Sequence, residues 1–246
     1  MSAAPLGFAP DWPAPSGVRA WVTERGPGAS GYSALNLATH VGDDPAVVAA
    51  NRVWLRGALA LPGEPAWLDQ VHGARVLDLD SEAILAADGA VTARVGVVCA
   101  VLTADCLPVL LCDRAGRRIG VAHAGWRGLL DGVLPATVHA LGVSPDRLLA
   151  WLGPAIGPAA YEVGADVRDA FVATEPKAAA HFTPNARARW QADLYGIARD
   201  SLRTSGVTAV YGGGFCTFRE SSRFFSHRRE APCGRMATLI WREHSA

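Results

Sequence analysis

Charge of neither sign is in excess: 23 Lys and Arg balance 23 Asp and Glu, so the formal net charge is zero. Such a chain has no global attraction for nucleic acid or an anionic membrane, and neither is expected as a partner. Long hydrophobic runs are also lacking. Half of the residues are hydrophobic, yet no unbroken apolar stretch reaches the ~18 residues that a membrane helix needs. The opening segment, MSAAPLGFAPDWPAPSG, has no basic start and no apolar core, so a secretory signal is not expected. Cysteines are few and odd in number: Cys99, Cys106, Cys112, Cys216 and Cys233. An odd set in mostly apolar surroundings argues against a disulfide framework and makes a reducing cytoplasm the expected compartment. Repeats and low-complexity linkers are missing too. The expectation is therefore one domain over residues 1–246, with an irregular segment over 1–17.

What is present alternates strands and helices. Val18 to Thr23 and Trp67 to Asp69 read as short strands, and DDPAVVAANRVWLRGALAL reads as a helix behind an Asp cap. VGVVCAVLTADC and LPVLLCD are nearly continuous apolar runs, the pattern of strands buried on both faces, with Pro108 marking a bulge or a strand start. RRIGVAHAG continues as a strand. A helix follows somewhere in Leu129 to Ala140, with its limits blurred by Pro135, and stops at Gly142. RLLAWLG, VTAVYGG and MATLIWR read as strands, and Asp193 to Gly206 as a helix. A hairpin near residue 115 excludes a wholly parallel sheet. The expected class is an α/β layered fold with a mixed sheet.

Two residues in this pattern carry chemistry. If residues 107–112 and 118–123 pair about the turn Asp113-Arg114-Ala115-Gly116 with Leu111 opposite Arg118, then Cys106 falls opposite His123. Directly opposed residues lie on one face, with Cα atoms roughly 4.5–5.5 Å apart. A buried cysteine is most often a small apolar residue, and Cys99 and Cys112 read that way. Cys106 instead lies at a strand edge beside AHAGWRG, whose glycines permit close backbone approach and whose following helix start suits an anion. The pair serves equally as a thiol nucleophile with its base or as part of a metal site. His72, in WLDQVHGARVL, would complete a His₂Cys set with one open position, the layout of a catalytic zinc site.

The motifs SALNLATHVGDDPAVVAANR, WLDQVHGARV, AVLTADCLPVLL, VAHAGWRG, GPAIGPAAYEVG and FFSHRREAPCGRMATLIW run in order from about residue 30 to residue 241. Together they resemble the YfiH family, described both as laccase-like multicopper polyphenol oxidoreductases and as purine nucleoside phosphorylases with adenosine deaminase and methylthioadenosine phosphorylase activity. The resemblance implies an α/β sandwich similar in topology to the catalytic domain of cytotoxic necrotizing factor. It also implies one zinc per chain on His72, Cys106 and His123. Two departures stand out. The family tail often reads FFSYRR followed by Asp-Gly or Gln-Gly, where this chain has Ser226-His227-Arg228-Arg229-Glu230-Ala231, and cysteines commonly precede YEVG where this chain has Ala159-Ala160.

The resemblance further implies purine nucleosides and phosphate as substrates, with Arg52 and Arg229 as anion-binding forks and Asn36 as a hydrogen-bond partner. Zinc would activate water for deamination at C6 of adenosine. Asp105 is the carboxylate nearest in sequence to act as acid beside Cys106 and His123, or else simply a turn residue. Copper is the less favoured metal. Seven histidines with no His-X-His pair and two methionines cannot build a trinuclear copper cluster. A Cys–His or zinc hydrolase editing peptidoglycan precursors and a non-catalytic metal-binding protein complete the alternatives.

Overall fold

Near-continuous apolar runs require cover on both faces, and the structure supplies it. The computed structural model describes residues 6–28, 31–32, 35–82 and 86–243. Numbering elements in chain order, one sheet has five strands: β1 (Gly7–Phe8), β2 (Val18–Thr23), β14 (Met236–Arg242), β6 (Val98–Thr103) and β3 (Ala66–Trp67). A second has six: β13 (Ala209–Gly212), β9 (Leu148–Leu152), β7 (Leu107–Asp113), β8 (Ile119–Ala124), β5 (Gly89–Thr92) and β4 (Val76–Asp78). A small third sheet joins β10 (Glu162–Val163), β12 (Trp190–Ala192) and β11 (Phe182–Pro184). The two large sheets are mixed: β3–β6, β4–β5 and β9–β13 pair parallel, and the other ladders are antiparallel. The short β1 lies within the segment expected to be irregular and pairs with the end of β2.

Alternation along β7 explains the layers. Val109 and Leu111 pack on the helix side, with Leu134, Leu194 and Ile197. Leu110 and Cys112 point the other way, into a core shared with Cys99, Val101 and Ile240 of the five-stranded sheet. That sheet's outer face, with Val98, Ala100 and Leu239, meets Leu55 of helix α1 (Pro45–Ala58). The order is therefore helix, sheet, sheet, helices. Each fully buried Leu or Val in these layers contributes about 1.5–3 kcal/mol.

The region after β8 is two helices rather than one, α2 (Trp126–Asp131) and α3 (Val133–Ala140), broken at Gly132 with φ +90°. Pro135 lies in the first turn of α3, where a missing N–H leaves no helical bond unmade. Helices α4 (Ala165–Thr174), α5 (Leu194–Thr204) and α6 (His227–Glu230) complete the set. No helix among the described residues is long and apolar enough to cross a membrane.

The hairpin register differs from expectation by two residues. Asp113, not Leu111, faces Arg118: its N–H donates to the Arg118 carbonyl, and its carboxylate accepts the N–H groups of Arg117 and Arg118. His123 therefore pairs with Pro108, and Cys106 lies two residues beyond the predicted position. Side chains alternate with period two, so the slip leaves His123 on its predicted face, and Cys106 becomes its diagonal neighbour.

Candidate metal centre

His72, Cys106 and His123 converge where β8 ends, β7 begins and the loop after β3 passes over them. Their ligand atoms all lie within 4.8 Å of one another, close enough to hold a metal ion. The two imidazole rings meet edge to face with centroids 4.8 Å apart. His123 is buried, Cys106 half-buried and His72 exposed.

Two of these three candidate ligands, His72 and Cys106, sit on or beside strained backbone. His72 itself has φ +62°, and Asp105, just before Cys106, has φ +91°. Left-handed backbone at a non-glycine residue costs on the order of 1–3 kcal/mol and persists only where the surroundings impose it. At His72 the imposing group is Asp88. Its fully buried carboxylate accepts the N–H groups of Val71 (3.2 Å), His72 (2.9 Å) and Gly73 (2.7 Å). The same carboxylate lies 2.8 Å from His123 Nδ1, which leaves Nε2 as the nitrogen available to a metal. Gln70 fixes the loop further upstream, exchanging two hydrogen bonds with the backbone of Leu102 as another strand would.

Close packing completes the arrangement. A Cβ on Gly125 would lie 2.9 Å from Cys106 Sγ and 3.4 Å from His72 Cδ2, so only glycine lets the chain turn here into α2. Burial raises the Cys106 pKa, but the charge and hydrogen bonds of His123, with help from His72, outweigh it and bring the thiol down to about 6. Burial works against protonation of His123, yet the Cys106 charge and the Asp88 hydrogen bond drive its pKa up. Cys99 and Cys112 show the opposite: burial pushes each thiol up to about 12, in keeping with core roles.

These residues line a cavity of about 420 Å³. Asp105 lines it, with both carboxylate oxygens engaged: Thr217 Oγ1 donates to one at 2.6 Å and the Arg228 N–H to the other at 2.7 Å. The rest of the lining includes two arginines, Arg228 and Arg235, with Tyr161, His227 and His40; burial, helped by the nearby Arg235, lowers the His40 pKa, so His40 adds no charge near neutrality.

The residues proposed for substrate contact do not line this cavity. Asn36 is buried and ties the 36–43 loop together through Ala38 and Asp43, while accepting the Arg235 N–H. Arg52 donates twice to the Leu37 carbonyl and stacks over Trp67 at 4.3 Å. Arg229 points away, donating to the carbonyls of Thr217, Phe218 and Phe224 and to Glu230. The neighbouring Arg228 and Arg235 take the cavity positions. Asp88 was the larger omission. A ligating histidine needs a carboxylate or carbonyl behind it, so one of the acids flanking a buried strand was the signal to follow.

A model of the multi-copper polyphenol oxidoreductase laccase family matches residues 19–243. The chain belongs to that family. Family members similar to it include a purine nucleoside phosphorylase of Pseudomonas aeruginosa, 54% identical over 235 residues, covering 94% of this chain and 96% of the relative. The purine nucleoside phosphorylase YfiH of Escherichia coli is 50% identical, covering 94% and 97%. Among solved structures, protein NMB0706 of Neisseria meningitidis superposes with a TM-score of 0.90 at 46% identity, covering 96% and 99% of the two chains. YlmD of Geobacillus stearothermophilus gives 0.91 at 30% identity, covering 99% and 98%. The family description and the names of the relatives point to different chemistries, and the donor inventory bears on which applies. Among the described residues one group of three ligands is found, His72, Cys106 and His123. A multinuclear copper cluster needs more.

Proposed function

We propose that the chain is a zinc-dependent purine nucleoside phosphorylase that cleaves adenosine, inosine or methylthioadenosine with phosphate and also deaminates adenosine. The observation that carries the reading is the convergence of His72, Cys106 and His123 in a cavity whose cationic side is lined by Arg228 and Arg235. One thiolate and two imidazoles form a donor set that zinc favours, and zinc held there would supply a Lewis acid with an open position. The five free cysteines suit a reducing cytoplasm.

In phosphorolysis a phosphate oxygen bonds to the anomeric carbon while the glycosidic C–N bond breaks. The electron pair leaves with the purine, which takes up a proton, and ribose 1-phosphate remains. The cationic rim draws in phosphate and holds its charge through the transition state. Arg228 is already positioned for this, with one Nη donating to the Glu162 carbonyl at 2.9 Å and the guanidinium 5.5 Å from the centre of the Tyr161 ring. Burial and the Cys106 charge push the Tyr161 pKa up, so its hydroxyl stays protonated and able to donate. Asp105, with both oxygens engaged, acts by positioning Arg228 and Thr217.

The test is metal content together with turnover. Protein purified without added metal should carry about one zinc per chain, and it should form adenine and inosine from adenosine and phosphate. Cys106→Ser should lose the zinc and both products. A metal-free enzyme with full activity would overturn the reading. It would favour the one alternative with its own support, a Cys–His hydrolase, since His123 holds the Cys106 thiol at about 6. Copper-dependent oxygen uptake with a phenol would point instead to the oxidase.

A further inference from the structure

Two tyrosines are buried to nearly the same degree, Tyr161 at 9% exposure and Tyr195 at 7%. Tyr195 spends its hydroxyl on the fold: it accepts the Ala155 N–H at 2.9 Å and donates to the carbonyls of Gly153 at 3.1 Å and Phe215 at 3.2 Å. The backbone of Tyr161 is equally engaged, its N–H donating to the Gly157 carbonyl and its carbonyl accepting the Ala192 N–H. Its hydroxyl, however, has no protein partner among the described residues. The buried polar atoms sealed off without a partner are Arg168 Nε, Asp193 Oδ1 and Thr238 Oγ1, and the Tyr161 oxygen is not one of them. It opens instead into the cavity that the residue lines with Cys106 and His123. Buried hydroxyls are almost always paired, so the partner of this one comes from the contents of the cavity.

We propose that the Tyr161 hydroxyl is a catalytic hydrogen-bond donor to phosphate, acting beside the guanidinium of Arg228; this rests on the phosphorolysis reading above. Arg228 is fastened to the same stretch of chain. Its Nη1 donates to the carbonyl of Glu162, the next residue, at 2.9 Å, and the guanidinium carbon lies 5.5 Å from the centre of the Tyr161 ring. Its backbone N–H is spent on Asp105, while Nε and Nη2 have no protein partner among the described residues. A guanidinium offers donors and no acceptor, and the phenol adds one more donor beside it. Phosphate oxygens suit such a set, whereas a purine edge mixes donors and acceptors and is matched less well. The phenol's ordinary pKa of about 10 is raised further by burial, so the hydroxyl donates without giving up its proton.

Tyr161→Phe tests this, because it removes one oxygen and keeps the ring beneath Arg228. Its melting temperature should match or exceed that of wild type, since no protein group is left unpaired. Its KM for phosphate should rise about 10–100-fold, the worth of a hydrogen bond to a charged group, with the KM for adenosine close to wild type. Inorganic phosphate should raise the melting temperature of the wild-type holoenzyme, relative to chloride at equal ionic strength, and should do so less in Tyr161→Phe. Tyr195→Phe sets the scale for a structural hydroxyl: it strands the Ala155 N–H and should melt below wild type. A Tyr161→Phe protein that melts as low as Tyr195→Phe, or that keeps the wild-type phosphate KM and phosphate shift, would overturn the proposal and leave phosphorolysis standing. A wild-type protein without phosphate-dependent cleavage would overturn the phosphorolysis reading itself, and this assignment with it.

Discussion

The Asp88 carboxylate lies 2.8 Å from Nδ1 of His123 while gathering three successive N–H groups of the loop that carries His72. One buried acid thus orients one imidazole and imposes the backbone of the other. Replacing it with alanine strands these donors together, and loss of one partner of a buried charged pair costs about 3–5 kcal/mol. Asp88→Asn keeps the shape but removes the charge, so metal affinity should fall about 10–100-fold through misoriented ligands. Denaturant unfolding and a metal-competition titration measure the two effects. An Asp88→Asn protein with wild-type affinity would show that Asp88 does not orient the site.

Acid should reveal the same group. Burial raises the Asp88 pKa, but the hydrogen bond from His123 and the loop N–H groups outweigh it and hold the carboxyl below its usual range. A depressed folded-state pKa gives stability that is complete above the unfolded-state value of about 3.9 and lost as pH falls through the folded value. The stability difference between wild type and Asp88→Asn should therefore shrink as pH falls below about 4. Unfolding curves at a series of pH values check this. A gap that widens as pH falls below about 4 would give the wrong sign.

Thiol chemistry should single out Cys106. After chelation, alkylation near neutral pH should fall on Cys106, whose thiol lies at about 6, and spare Cys99 and Cys112, both pushed up to about 12. Readdition of zinc should suppress the labelling. Peptide mass mapping reads the outcome, and labelling of Cys106 indifferent to metal would argue against its being a ligand.

The large strands were legible because a strand buried on both faces announces itself as an unbroken apolar run. LPVLLCD marks β7 to the residue, and Asp44 marks the start of α1. Of the strands of two to four residues, β13 was read from VTAVYGG, but β4, β5 and those of the small third sheet are too short for any periodicity to show. The hairpin register escaped because the turn is closed by the Asp113 side chain, a choice that strand pattern does not encode. The face nevertheless survived, since a slip of two preserves alternation. At the candidate site, the clustering of His72, Cys106 and His123 was readable, but which arginines line the cavity was not. Arg228 and Arg229 are adjacent, and which one faces the cavity depends on the turn set by Ser226, whose hydroxyl accepts the Arg229 N–H.

Gly125 offers a steric test. Alanine there would place a Cβ 2.9 Å from Cys106 Sγ, forcing a ligand to move. Metal affinity should drop at least as far as in Asp88→Asn. Gly57 is the control: a Cβ there meets nothing within 4 Å. Gly57→Ala, in a helix, should leave metal binding unchanged and stabilise by about 0.5–1 kcal/mol. If Gly125→Ala binds metal normally, the close approach seen at Cys106 is not needed for the site.

The two neighbouring arginines should separate catalysis from stability. Arg229 spends its guanidinium on the carbonyls of Thr217, Phe218 and Phe224 and on Glu230. Arg229→Met should therefore cost about 2–3 kcal/mol of stability, with little change in the KM for phosphate in the protein that remains folded. Arg228 is exposed at the cavity rim. Its loss should remove a charge-assisted contact worth about 1.5–3 kcal/mol, raising the KM for phosphate roughly 10–100-fold with the melting temperature nearly unchanged. Initial-rate kinetics with phosphate varied, beside thermal melts of both variants, decide between these outcomes. If Arg229→Met raises the phosphate KM and Arg228→Met does not, the phosphate lies on the other side of the Ser226 turn, and the cationic rim assigned to this cavity is not its binding site.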